Sequence, residues 1–222
     1  MFVGHYSVSF AASRSGVYLP LWVWFLAVQW LDLVFMTLVL AGVEKVRVTE
    51  GFTESNDLDL YFMPFSHGLV GSLVMSVIFA AIVAAVFPAA RKPLGFALVA
   101  LASFSHWLLD LLMHTPDLPI YDDDSTKVGL GLWDHAAIAL PLELLVLVLG
   151  AWTYTRAARF SDRGKALVWG FVGLLAVFQL YAHFGPTSES PTEFAITALV
   201  GYIVLAAIAG WVERRTHRMY AG

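Results

Sequence analysis

Residues 105–119 read SHWLLDLLMHTPDLP, and four ionisable groups interrupt this apolar stretch: His106, Asp110, His114 and Asp117. On an α-helix, positions 106, 110 and 114 lie one turn apart on a single face. His106 and Asp110 can therefore grip one ion from one rigid element. A neutral imidazole nitrogen and a carboxylate oxygen suit zinc, manganese or iron, at about 2.0–2.2 Å. The competing reading is an i, i+4 hydrogen bond that only joins helices. His114 and Asp117 fall at the mouth of the same helix. There they either support the ligands from behind or carry a proton in catalysis.

This pair is not isolated. PFSH puts His67 one turn into another apolar run, Asp32 lies within WLDLVF, and His5 follows Gly4 near the N-terminus. His5, Asp32, His67, His106 and Asp110 together predict a shared site for one or two divalent ions, zinc first, manganese or iron next. The chain has no cysteine, so thiolate ligands and disulfides are excluded and nitrogen or oxygen must hold any metal. Glu143 is a candidate general base or, alternatively, a buried hydrogen-bonded carboxylic acid. Gln179 and His183 read as interhelical hydrogen-bonding groups. Asp134 and His135 read as caps of the helix that follows them.

The elements that must position these groups belong to a membrane protein. Of 222 residues, 59% are hydrophobic and 14% charged, and the mean hydropathy is +0.73. Soluble domains run at about 45–50% apolar and about 25% charged. Six runs are long enough to cross a bilayer, which takes roughly 20 apolar residues: 20–42, 64–88, 93–114, 134–156, 167–185 and 193–212. Pro20, Pro64 and Pro93 stand at starts and Gly42 and Gly185 at ends, while Pro141 should kink the fourth run. The expected fold is all-α: a polytopic transmembrane helical bundle of about six spans. It forms one integral membrane domain over 1–222, with the motifs in 1–135 and supporting helices in 136–222.

Basic residues orient it. Alternating spans send ten to one side: Arg14, Arg91, Lys92, Arg156, Arg159, Arg163, Lys165, Arg214, Arg215 and Arg218. Only Lys45, Arg47 and Lys127 fall on the other. The positive side is expected to be cytoplasmic, with both termini there and loops 43–63 and 115–133 outside. YDDDSTK in the second loop reads as a solvated turn, with a loosely held calcium as the minor alternative. The first thirteen residues lack a basic segment followed by a long apolar core, so no cleavable signal peptide is expected. They are apolar but too short to cross. At about 1.5 Å per residue, a half-helix held by Arg14 would reach roughly 20 Å into the bilayer and carry His5 to the depth of Asp32. Ionisable groups at such depth cost at least about 2.5–3.5 kcal/mol each, so they face the bundle interior and mark a site. No basic patch suggests nucleic acid.

The order of these motifs resembles the membrane-bound metal-dependent hydrolase family of LexA-binding, inner-membrane-associated proteins. The resemblance covers Gly4-His5, Asp32 in WLDLVF, FSHGL with His67, Ser105-His106 with Asp110, and Leu132-Trp133. GVEKV, HTPDLP and GLGLW look like a subgroup within it. It runs from residue 1 to about 135. The chain departs from the pattern at Gly68 and at Asp134-His135, which leaves the ligands intact and bears on the substrate pocket. The resemblance implies a metal-dependent hydrolase in the cytoplasmic (inner) membrane of a prokaryote. Its expected partner is membrane lipid, and its expected substrate an amphipathic or lipid-like ester or phosphoester near the extracytoplasmic leaflet. The alternative is a non-enzymatic protein, a metal or proton pathway or a structural or regulatory factor, that uses the same buried polar groups.

Overall fold

A computed structural model describes residues 2–157 and 160–218. Met1 and Arg159, which entered the expectations for the N-terminal segment and the basic side, lie outside the described residues. Among the described residues, five helices are long and apolar enough to cross a membrane: α4 (Leu69–Val86), α6 (Pro93–Met113), α7 (Ala136–Ala157), α8 (Asp162–Phe184) and α9 (Pro191–Arg218). The run expected at 20–42 is divided into α2 (Leu21–Val28) and α3 (Trp30–Leu40), bent by 56° at Gln29. The six expected spans thus resolve into five unbroken helices and one bent pair. Prolines start α6 and the short α5 (Pro88–Arg91), where the missing N–H costs nothing. Pro141 lies within α7, which continues through it.

The long helices turn large apolar side chains outward. Val74, Val77, Leu101, Val177 and Ile203 are all at least half exposed. A soluble monomer rarely shows such continuous apolar faces. The fold is that of a helical membrane bundle. The two loops add small pieces of sheet that the apolar pattern did not predict. β1 (Lys45–Val48) pairs antiparallel with β2 (Leu58–Phe62), and β3 (Leu118–Pro119) with β4 (Lys127–Val128). Residues 121–126 form the turn between β3 and β4, where Lys127 Nζ bonds Asp123 at 2.7 Å. The Leu21 N–H donates to Glu213, tying the start of α2 to the end of α9. Alternation then leaves Arg91, Lys92, Arg163, Lys165, Arg214 and Arg215 at that end and both hairpins at the other.

The N-terminal segment enters the bundle. A 3-10 turn, Val3–His5, leads into α1 (Tyr6–Ala12), and Val3, Gly4, His5, Tyr6 and Phe10 are buried. Backbone donors at a helix start need partners when buried. Here Phe2 N–H donates to Glu143 Oε2 at 2.8 Å and Val3 N–H to Gln179 Oε1 at 3.3 Å. Gln29 Nε2 donates to the Phe2 carbonyl at 3.4 Å. α1 lies so close to α7 that a Cβ at Gly150 would sit 2.5 Å from Ser7 Cα. Tyr6 stacks on Phe25, with centroids 4.4 Å apart, and Phe10 meets Phe25 edge-on.

Candidate metal centre

α6 carries His106 and Asp110 one turn apart, with Nε2 and Oδ2 2.9 Å from each other. The bend at Gln29 acts on both neighbours of the break. It leaves the Val28 carbonyl without a continuing turn above it, and His106 Nδ1 takes that carbonyl at 2.7 Å. It also turns Asp32, in the first turn of α3, towards α6. Asp32 Oδ1 lies 3.4 Å from His106 Nε2 and 3.4 Å from His67 Nε2. His67, in the turn before α4, completes the set, with Nε2 3.7 Å from Asp110 Oδ2. Its backbone carbonyl accepts from Trp107 Nε1 at 2.8 Å.

The tautomers follow from the partners of Nδ1. A carbonyl only accepts, so His106 donates from Nδ1 to Val28, and in the neutral imidazole Nε2 presents a lone pair to two carboxylates. That nitrogen is buried and finds no hydrogen-bond donor. Of the four separations between the Nε2 atoms of His67 and His106 and the oxygens of Asp32 and Asp110, three are 3.4–3.7 Å, beyond the 2.7–3.2 Å of an N–H···O bond. A tetrahedral ion with bonds of about 2.0–2.1 Å holds its ligands about 3.3 Å apart. Asp32 Oδ1, His67 Nε2 and His106 Nε2 therefore lie close enough to share one ion, with Asp110 Oδ2 beside both histidines. Two three-residue groups here can hold an ion, His5–His106–Asp110 and Asp32–His67–His106, and His106 is common to both.

His5 stacks on the His106 ring at 3.8 Å with an 8° tilt. Its Nε2 lies 3.2 Å from Asp110 Oδ1. His114, just past α6, gives Nδ1 to Asp117 Oδ1 at 2.9 Å, and its Nε2 points to Asp110 Oδ2 at 3.8 Å. Thr115 Oγ1 holds the other oxygen of Asp117. The GLGLW stretch braces this corner. Leu130 N–H and Gly131 N–H donate to the Leu111 and His114 carbonyls at the α6 terminus, and Trp133 packs on His114 at 4.2 Å. Gly131 has φ +70°, and a Cβ at Gly129 would collide with the Thr115 carbonyl.

The structure places Glu143 in the cavity wall, where it accepts from Phe2 and Gly4 N–H groups. Gln179 holds Val3, and His183 meets the Ser55 carbonyl at 3.2 Å. Asp134 and His135 are exposed; Glu54, from the first loop, accepts the Ala136 N–H at the start of α7. Two contributors were not anticipated. Tyr202 on α9 donates its hydroxyl to Asp32 Oδ2 at 2.7 Å, and nothing distinguishes it among the apolar residues of that span. Glu44, beyond α3, is buried against the PFSH turn. Burial pushes its carboxyl up from the ordinary value, and hydrogen bonds from the Ser66 side chain and backbone pull it back down.

A cavity of about 420 Å³ opens beside the cluster towards the loops. Asp32, His67, Asp110 and His114 line its floor, Phe35, Met36, Leu60 and Phe194 its walls, and Thr53, Asn56 and Thr187 its mouth. No Lys or Arg lines it among the described residues. No protein-family model, curated protein or solved structure matches the chain. Fold and site define a helical membrane bundle with a buried histidine–aspartate cluster that can hold a metal ion.

Proposed function

We propose that this protein is a membrane-embedded metal-dependent hydrolase that cleaves an ester or phosphoester of a lipid-like substrate near the extracytoplasmic leaflet. The observation that carries the reading is the His106 Nε2 lone pair, fixed by the Val28 carbonyl and facing two carboxylate oxygens at 2.9 and 3.4 Å. Acceptors opposed like this in a buried site need a cation between them. The ligand set suits zinc, with manganese or iron as substitutes. Because one lone pair serves one ion, sharing of His106 favours a single ion. That ion would polarise a phosphoryl or acyl oxygen and bring the pKa of a water towards about 7.

The chain's own groups supply the rest. Asp117 holds His114 with its proton on Nδ1, leaving Nε2 free to accept a proton from the attacking water and return it to the leaving oxygen. Trp133 restricts rotation of that ring. Tyr202 and the Val28 carbonyl orient Asp32 and His106 from behind. The apolar walls suit an acyl chain, and the hydroxyl and amide groups of the mouth, beside the Glu54 and Asp57 carboxylates, suit a polar head. With no basic side chain on the lining, the substrate is an ester or a singly charged phosphodiester rather than a polyanion. We place the protein in the cytoplasmic membrane of a prokaryote with both termini inside, on the strength of the basic bias.

Elemental analysis of detergent-purified protein tests the centre. Wild type and His183→Ala are expected to carry metal, while His106→Ala and Asp110→Asn lose it. Chelation should abolish hydrolysis of a chromogenic ester or phosphodiester presented in micelles. Equal metal in wild type and His106→Ala, or none in wild type after metal-replete purification, overturns both the centre and the hydrolase.

A further inference from the structure

The structure assigns Glu44 as a positioning residue that sets the tautomer of His67 through the Ser66 hydroxyl, a role that rests on the metal-centre reading. Glu44 sits in the turn after α3, among exposed neighbours Gly42, Val43 and Lys45, yet is itself 1% exposed. An acid in a surface turn gains nothing from facing inward unless donors await it. Three do. Oε1 accepts the Phe65 and Ser66 N–H groups at 2.8 and 2.9 Å, and Oε2 accepts Ser66 Oγ at 2.6 Å.

Ser66 has one hydroxyl proton, and the carboxylate, which only accepts, takes it. Ser66 Oγ is also 2.8 Å from His67 Nδ1. With its proton committed, the hydroxyl can only accept there, so His67 carries its proton on Nδ1. Its Nε2 is left as a lone pair directed at Asp32 Oδ1 and Asp110 Oδ2. The Val28 carbonyl does the same for His106 and Asp117 for His114, so all three imidazoles present Nε2 to one point. Only at His67 does the device pass through an intermediate hydroxyl, which an exchange of one atom at Glu44 would reverse. In Glu44→Gln the side-chain amide can donate to Ser66 Oγ. Ser66 then donates to His67 Nδ1, and the proton moves to Nε2, where it blocks a ligand position.

The test uses full-length, detergent-purified protein with ¹⁵N-labelled histidine. In metal-free wild type, long-range ¹H–¹⁵N correlations should place the His67 proton on Nδ1, the resonance being identified by its loss in His67→Gln. In Glu44→Gln the proton should move to Nε2, and zinc affinity, measured by competition with a chelator, should fall about 10–100-fold. If Glu44→Gln does not fold, Ser66→Ala serves instead. It leaves the two backbone donors on Glu44, and should lose the fixed Nδ1 proton and a similar factor in zinc affinity. A wild-type proton on Nε2, or a variant with unchanged tautomer and affinity, overturns the assignment. Absence of zinc binding by wild type overturns the metal centre alone, because the tautomer is read without metal.

Discussion

Gly150 is far from the polar cluster in sequence and touches none of its ionisable groups, yet replacing it should damage the centre. In Gly150→Ala the added Cβ would lie 2.5 Å from Ser7 Cα, 2.6 Å from Ser7 O and 2.8 Å from Ser7 Cβ. Carbon contacts settle at about 3.5–4.0 Å, so α1 must retreat from α7 by about 1 Å. None of the three atoms is the end of a flexible side chain, so the whole turn has to move. His5 is half a turn away on the same segment and lies 3.2 Å from Asp110 Oδ1. A retreat of about 1 Å breaks that contact and slides His5 off the His106 ring. Overpacking of this kind costs about 1–3 kcal/mol, and loss of a supporting contact costs about tenfold or more in metal affinity. Thermal unfolding in detergent and zinc competition on the same preparation read both effects. Wild-type values for both would show that α1 does not position His5. Lost stability with intact affinity would show that His5 does not support the ion.

Tyr202→Phe removes the hydroxyl donor to Asp32; a hydrogen bond to a charged group is worth about 1.5–3 kcal/mol, and zinc affinity should fall without loss of fold, as read by chelator competition. Imidazole must be neutral to bind, so zinc affinity, measured by chelator competition, should weaken as pH falls below the ordinary histidine value of about 6.5; an affinity that stays level there would remove histidine from the ligand set. Because the chain has no cysteine, single cysteines report topology directly. In intact cells an impermeant thiol reagent should label Asp124→Cys and leave Lys165→Cys untouched, and the reverse pattern inverts the orientation.

The ionisable residues of the cluster were legible because bilayer-spanning runs tolerate so few of them. His106 and Asp110 share a face by spacing alone, and Asp32, His67 and His5 stand out against apolar neighbours. What holds them was less visible. Gln29 is one of three polar residues in a run without internal glycine or proline, and no local pattern announces the 56° bend there. That bend frees the Val28 carbonyl, and carbonyls have no signature in a sequence. Glu44 is one acid among several in the first loop, and only the fold of the PFSH turn brings three donors to it. Tyr202 is an aromatic among aromatics until α9 is set against α3. The hairpins left no trace in the pattern because strands of two to five residues carry little periodicity to read.

The anchoring of the N-terminal turn has a consequence for biosynthesis. Phe2 and Val3 leave the ribosome well before their partners Glu143 and Gln179, which are 141 and 176 residues further along. Until α7 and α8 have entered the membrane, the N-terminal turn lacks these two anchors, and His5 is not yet fixed against Asp110. The centre is thus completed by closing some of the longer loops in the chain, a slow kind of contact to form. Metal capture becomes a late event, a report that the whole bundle is in place. Nascent chains stalled before α7 emerges should bind zinc poorly even though Asp32, His67, His106 and Asp110 have all been made.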